Sequence, residues 1–133
     1  MIILLDTNVL IAAFVARGFC NELLEHCVRQ HRLVTSDFII NEFRDKLFSK
    51  FKRKPEEIDQ AVELLHSRMK VVASSSLESS VCRDPEDDNV LAAAIEGKCD
   101  CIITGDKDLL ILKQYEGVDI LSPSDFREYE ETK

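Results

Sequence analysis

The chain has 133 residues, 17 Lys plus Arg against 25 Asp plus Glu, and a formal net charge of −8. With 45% hydrophobic residues, 7% aromatics and no Trp, it is not a disordered chain; one domain is expected over residues 1–133, with a core of Leu, Ile, Val and Ala. No apolar stretch approaches the roughly 20 residues of a membrane span, and the opening MIILLDTNVL, with Asp6 and no basic leader, does not read as a signal peptide.

Residues 2–5 (IILL) form a continuous apolar run, the pattern of a strand buried on both faces. A short helix is predicted over 8–16, ending near Gly18. A second is predicted over 20–31, with Leu23, Leu24, Cys27 and Val28 on one face. RLVTS at 32–36 reads as the second strand. Ser36 or Asp37 can cap the next helix, which carries Phe38, Ile39, Glu42, Phe43 and Leu47. Pro55 opens another helix at its first position, and Ile58, Val62, Leu65 and Met69 form an apolar stripe along it.

KVVAS at 70–74 is the third predicted strand, and SSSLESS at 74–80 reads as a surface loop. Asp84-Pro85-Glu86-Asp87 is a compact helix start, with a capping Asp, a first-position Pro and acids in the first turn. That helix runs to about Glu96 and stops at Gly97. CDCIIT at 99–104 is the fourth strand, placing Cys99 and Cys101 on one face, and VDIL at 118–121 is the fifth. Ser122-Pro123-Ser124-Asp125 starts a short terminal helix. Strands separated by helices give an α/β fold, a three-layer α/β/α sandwich around a mostly parallel sheet. Ligands in such sheets bind at the carboxyl ends of the strands.

The five cysteines form no CxxC pair and read as reduced thiols of a cytoplasmic protein. The acidity is uneven: residues 1–66 hold 9 basic and 10 acidic side chains, residues 67–133 hold 8 and 15. Such a chain is not a general electrostatic binder of nucleic acid. A nucleic-acid role needs bridging cations or a local basic patch, for which KLFSKFKRK at 46–54 is the candidate.

Acids cluster where the strand-end rule points. Asp6 follows the first strand, Asp106 and Asp108 follow the fourth, and Asp84, Asp87 and Asp88 open the helix before it. Glu42 interrupts the apolar face of its own helix. Carboxylates crowded into a partly buried notch repel one another and lose hydration, which makes sense if a divalent cation sits among them. Oxygen ligands without His or Cys suit Mg²⁺ or Mn²⁺ rather than Zn²⁺, and a metal with open water positions serves phosphate chemistry.

Each acid also has a simpler role: Asp6 and Asp84 as helix caps, Glu42 as a partner of Arg44 or Lys46, Asp106 as a turn residue and Asp108 as the cap of the next segment. On a helical wheel Asp87 lies about 40° from Leu91 and Asp88 about 60° to the other side, which favours Asp87 as the inward acid and leaves Asp88 as a solvent-side charge or water-mediated ligand. The three histidines lie on helices or helix ends away from these acids, so neither His-based acid/base chemistry nor a Ser-His-Asp triad has its parts.

The run of motifs DTNVL, INEF, CRDPEDDNVLAAA, IITGDKDLL and ILSPSDF resembles PIN-domain ribonucleases over residues 2 to about 126. It is most similar to stand-alone prokaryotic PIN proteins of the VapC-like kind, often labelled as toxins of toxin–antitoxin pairs. The resemblance implies an α/β/α sandwich that cleaves single-stranded RNA with Mg²⁺ or Mn²⁺. It implies Asp6, Glu42, Asp87 and Asp106 as catalytic and metal-binding residues, with Asn8, Asp84, Asp88, Thr104 and Asp108 as further candidates. Thr7 or Asn8 matches the family's small polar residue after the first acid, and Asn8 would orient Asp6 or a metal-bound water.

In the implied mechanism Asp6, Asp87 and Asp106 hold one or two metals and Glu42 positions or deprotonates the attacking water. The 3′-oxygen leaves, giving 5′-phosphate and 3′-hydroxyl ends. The basic residues Lys46, Lys50, Lys52 and Arg53, following Glu42 along its helix, and Arg83 beside the acids are the candidate RNA contacts. The resemblance also allows an antitoxin protein and a homodimer as partners, and no membrane. An aspartate-nucleophile phosphatase is disfavoured, because the position two after Asp6 holds Asn8. A receiver domain is disfavoured because neither middle strand ends directly in an Asp. The remaining alternative is a catalytically silent module of the same fold that binds RNA or protein.

Overall fold

The computed structural model describes residues 1–16, 18–73, 77 and 80–133. Ile2–Leu5 forms β1, with Ile3 and Leu4 fully buried. Two helices follow, α1 (Thr7–Val15) and α2 (Phe19–Gln30), then β2 (Arg32–Ser36). Ser36 caps α3 (Asp37–Ser49), its hydroxyl accepting from the Ile39 amide at 3.1 Å. Pro55 opens α4 (Pro55–Arg68), whose predicted stripe of Ile58, Val62, Leu65 and Met69 is buried throughout. The third strand, β3, is Lys70–Val72. Most of the predicted loop at 74–80, and the last residue of the predicted third strand, lie outside the described residues.

Asp84 caps α5 (Pro85–Glu96), as its sequence signature implies. The helix ends at Gly97, where a Cβ would stand 2.6 Å from Cγ1 of Val34. Only glycine lets the helix end lie that close to β2. The fourth strand is shorter than expected: β4 is Cys101–Ile103, and Cys99 precedes it, buried.

Two elements go beyond the sequence expectation. A single helical turn, α6 (Lys107–Leu110), follows β4. A short strand, β5 (Gln114–Tyr115), folds back on β6 (Val118–Leu121) as an antiparallel hairpin. Its two turn residues, Glu116 and Gly117, have φ of 47° and 85°, the positive values that a tight two-residue hairpin turn requires. Asn-Gly or Asp-Gly would have announced this turn; Glu-Gly does so weakly. The terminal helix, α7 (Pro123–Glu131), starts at a Ser122 cap.

The strand order is β3-β2-β1-β4-β6-β5, parallel except for the last pair. Right-handed crossovers put α1 to α4 over one face, on the way from β1 to β3, and α5 over the other on the way back to β4. The result is the three-layer α/β/α sandwich with a mostly parallel sheet. β1 and β4 are neighbours at the point where the strand order reverses, the place beyond the carboxyl ends of the strands where sheets of this kind bind ligands. Among the described residues no single helix is long and apolar enough to cross a membrane.

Candidate metal centre at the sheet edge

Asp6 stands at the end of β1, 5% exposed. Its amide donates to Ile103 O at 3.0 Å, extending the ladder to β4 by one rung. Its carboxylate caps α1, Oδ1 accepting from the Thr7 amide and Oδ2 from the Thr104 hydroxyl, each at 2.7 Å. Both hydrogen bonds favour the ionised form, yet burial outweighs them, and with the charges of Glu42 and Asp106 it raises the Asp6 pKa. Thr104 joins the two strand ends: its Oγ1 also accepts the Asp106 amide at 3.0 Å. Asp106 caps α6 by accepting from the Asp108 amide at 2.8 Å. The cap is therefore Asp106, and the expectation that Asp108 caps this segment is corrected.

In the helix start DPEDD the three acids separate by role. Asp84 is exposed and accepts from the Glu86 amide at 3.0 Å. Asp87 is 9% exposed, and its Oδ2 has no hydrogen-bond partner among the described residues. Burial, then the negative charges of Asp106, Asp84 and Asp6, push its pKa up to about 7. Asp88 turns the other way. Its Oδ1 accepts from the amides of Cys82 at 2.8 Å and Val81 at 3.2 Å. The solvent-side reading of Asp88 is corrected: its carboxylate holds the strand-to-helix connection in place. Asp88→Ala leaves those amides without that acceptor, so a loss of about 1–3 kcal/mol, seen as a melting point lower by several degrees, is expected in thermal unfolding.

Carboxylate oxygens of Asp87, Asp106 and Asp108 lie within 4.8 Å of one another. Asp6 stands beside this trio, joined to Asp106 through Thr104 and near enough to feel its charge, but neither Asp6 nor Glu42 is part of the close trio itself. An unpartnered buried oxygen, a raised carboxyl pKa and oxygen-only donors fit a hard divalent cation such as Mg²⁺ or Mn²⁺.

Glu42 sits on the rim of α3 with its side chain 21% exposed, and Lys46 Nζ lies 4.0 Å from its Oε1. The alternative partner fails, because Arg44 pairs with Asp59 at 2.8 Å. Lys46 also donates to Asn8 Oδ1 at 3.1 Å. Asn8 thus faces Lys46, and the groups that orient Asp6 are the Thr7 amide and Thr104. Thr7 is itself buried, its Oγ1 unpartnered among the described residues.

Of the five basic candidates, two meet the acids: Lys46, and Arg83, whose Nη2 lies 3.3 Å from Asp108 Oδ2. Lys50 follows the end of α3, about 12 Å along the axis from Glu42. Lys52 and Arg53 lie in the turn before α4, so they do not continue the same helix. Arg53 pairs with Glu57 at 3.9 Å.

Among the described residues no histidine joins this acidic trio, and two histidines gather elsewhere. His26, His31 and Glu130 converge at the other end of the molecule. The pairing is long-range, Glu130 being 99 residues from His31, and no local spacing announces it.

Comparison with known proteins agrees with this architecture. Residues 2–108 match a PIN-domain family, PIN_3. An uncharacterized protein of Methanocaldococcus jannaschii, MJ1680, is 31% identical over 117 residues, spanning 84% of this chain and 74% of that protein. The crystal structure of VapBC2 from Rickettsia felis, bound to a DNA fragment from its promoter, superposes at a TM-score of 0.65 with 16% identity, covering 90% of this chain and 97% of that one. The PIN domain endonuclease Utp24 superposes at 0.53 with 20% identity, covering 91% and 84%. At these identities the two structures establish a shared fold.

Proposed function

The chain belongs to the PIN-domain family, and from that premise we propose that it is a divalent-metal-dependent endoribonuclease of single-stranded RNA, built as one domain over residues 1–133. The observation that carries this reading is the gathering of Asp87, Asp106 and Asp108 beyond the ends of β1 and β4, with an Asp87 oxygen that has no hydrogen-bond partner among the described residues and with Asp6 joined to Asp106 through Thr104. Asp6, Asp87 and Asp106 would hold Mg²⁺ or Mn²⁺, with Asp108 beside them. The ion supplies acidified water and offsets charge on the phosphate. Glu42, on the rim, orients and deprotonates the attacking water. The 3′-oxygen departs, leaving 5′-phosphate and 3′-hydroxyl ends.

Lys46 and Arg83 place cations beside otherwise acidic groups, Glu42 and Asp108. The Arg83–Asp108 pair is solvent-exposed and worth at most about 1 kcal/mol. Its guanidinium is free to exchange that carboxylate for a backbone phosphate. Utp24 is a PIN domain endonuclease, which supports the nuclease class. VapBC2 supports a VapC-like role, with an antitoxin protein as partner, a homodimer and a cytoplasmic setting as parts of the same proposal.

The test is cleavage of an end-labelled single-stranded RNA by the purified chain. Cutting is expected with Mn²⁺ or Mg²⁺, abolished by EDTA and weaker on single-stranded DNA of the same sequence. A folded chain that leaves RNA intact under both metals rejects the nuclease and favours the silent binding module.

A further inference from the structure

At the sheet edge opposite the carboxylates, side chains from two distant helices meet. His26 lies near the end of α2, His31 is the residue that ends it just before β2, and Glu130 lies in the last turn of α7. Nε2 of His26 is 2.7 Å from Oε2 of Glu130, and Nε2 of His31 contacts the same oxygen. All three ligand atoms lie within 4.8 Å of one another. The rings are held from behind. His31, with its side chain 10% exposed, stands edge-on to Phe126 at 5.9 Å between centroids, and edge-on to His26 at the same separation.

We propose that His26, His31 and Glu130 form a transition-metal site, separate from the carboxylate centre, that takes a borderline ion of the Zn²⁺ class and clasps the end of α7 to α2. Two imidazole nitrogens and one carboxylate oxygen are donors that suit Zn²⁺ and bind Mg²⁺ poorly. Three protein ligands leave a fourth position to water. The His26 side chain is 45% exposed, so an ion reaches the site from solvent. In the metal-free protein one carboxylate oxygen serves both imidazoles, and a cation bound between them replaces the protons that bridge them. Each ring then carries its proton on Nδ1.

Cys27, beside His26 in sequence, does not compete as a thiolate in the metal-free protein. Burial, helped by the Glu130 charge, pushes its pKa up to about 12. The rest of α7 is already anchored by buried Phe126 and by Tyr129, whose hydroxyl donates to Asp119 Oδ2 at 2.7 Å. The last turn, where Glu130 lies, is the part a metal would fix.

The experiment is a Zn²⁺ titration of the full chain carrying Asp87→Asn, which disables the carboxylate centre, read by calorimetry and thermal melting. One Zn²⁺ per chain and a higher melting point are expected, with no rise from Mg²⁺. Adding His26→Ala or Glu130→Gln should weaken Zn²⁺ binding at least tenfold. Both side chains are partly exposed, and circular dichroism confirms folding; Glu130→Gln keeps the shape of the side chain if His26→Ala does not fold. Co²⁺ in place of Zn²⁺ should give visible absorption without a thiolate charge-transfer band. Unchanged Zn²⁺ affinity in a folded variant, absence of saturable binding, or a thiolate band overturns the assignment. None of these readouts involves RNA cleavage, so they stand or fall apart from the nuclease reading.

Discussion

Replacing Asp87 by Asn is expected to lower RNA cleavage at least about a hundredfold, the scale of removing one group that meets the developing charge of a transition state, while making the metal-free protein more stable. Asp87 holds its proton to about pH 7 in the folded chain, against an ordinary value of 3.8. Between those values the native state binds more protons than the unfolded one, so stability falls as pH rises. The contribution is complete below about pH 4 and gone above about pH 7. At neutral pH the ionised, buried Asp87 is a cost on the order of a few kcal/mol, since displacing a pKa by one pH unit corresponds to about 1.4 kcal/mol.

The amide in Asp87→Asn removes that charge and offers an N–H to the neighbouring Asp106 carboxylate. In EDTA the variant should melt about 5–10 °C higher at pH 7.5, with a shallower pH dependence between 4 and 7. The part of the slope due to Asp6, whose pKa is also raised, should remain. Added Mn²⁺ should stabilise the parent through mass action and the variant far less. A variant that melts lower than the parent at pH 7.5, with an equal response to Mn²⁺, would show that Asp87 is a structural acid rather than part of a cation site.

What could be read from the sequence follows how local the signal is. The IILL strand, the Ser36 and Asp84 caps and Pro55 are written in adjacent residues and reappear in the fold. The strand-end rule placed Asp6 and Asp106 side by side, as Thr104 joins them in the fold, because topology, more than side-chain detail, brings strand ends together. The helical wheel separated Asp87 from Asp88, but not the reason. Asp88 is taken up by the amides of Val81 and Cys82, a partnership that depends on how the preceding connection folds back.

The long cationic side chains were the least legible. Lys46, Lys50, Lys52 and Arg53 are one run in sequence, but the helix end at Ser49 splits it. Lys46 points back at Glu42 and Asn8, whereas Arg53 joins Glu57 on the next helix. The hairpin at Glu116-Gly117 and the His26–His31–Glu130 cluster escaped because one has a weak turn signature and the other joins residues about a hundred apart.

Asp6 allows its electrostatic and structural roles to be parted with two substitutions. The carboxylate caps α1 and takes the Thr104 hydroxyl, so it is architectural as well as charged. Asp6→Asn keeps the cap, because an amide oxygen accepts the Thr7 N–H as an N-terminal Asn commonly does. Its NH₂ faces Thr104 Oγ1, whose hydroxyl proton then rotates away. The buried charge and its repulsion from Glu42 and Asp106 disappear. Metal-free Asp6→Asn should therefore be as stable as the parent or more so at pH 7.5, and should cleave RNA at least about a hundredfold more slowly.

Asp6→Ala removes the same charge but also the cap, worth about 0.5–2 kcal/mol, and leaves the buried Thr104 hydroxyl without its acceptor, at about 1–3 kcal/mol. It should be as inactive as Asp6→Asn and clearly less stable. The pair is measured by thermal melting in EDTA alongside the RNA assay. Equal activity loss with opposite stability changes identifies the carboxylate charge as what cleavage requires. Activity retained in Asp6→Asn would mean that Asp6 serves this fold only as a helix cap, and the nuclease centre would lose its first ligand.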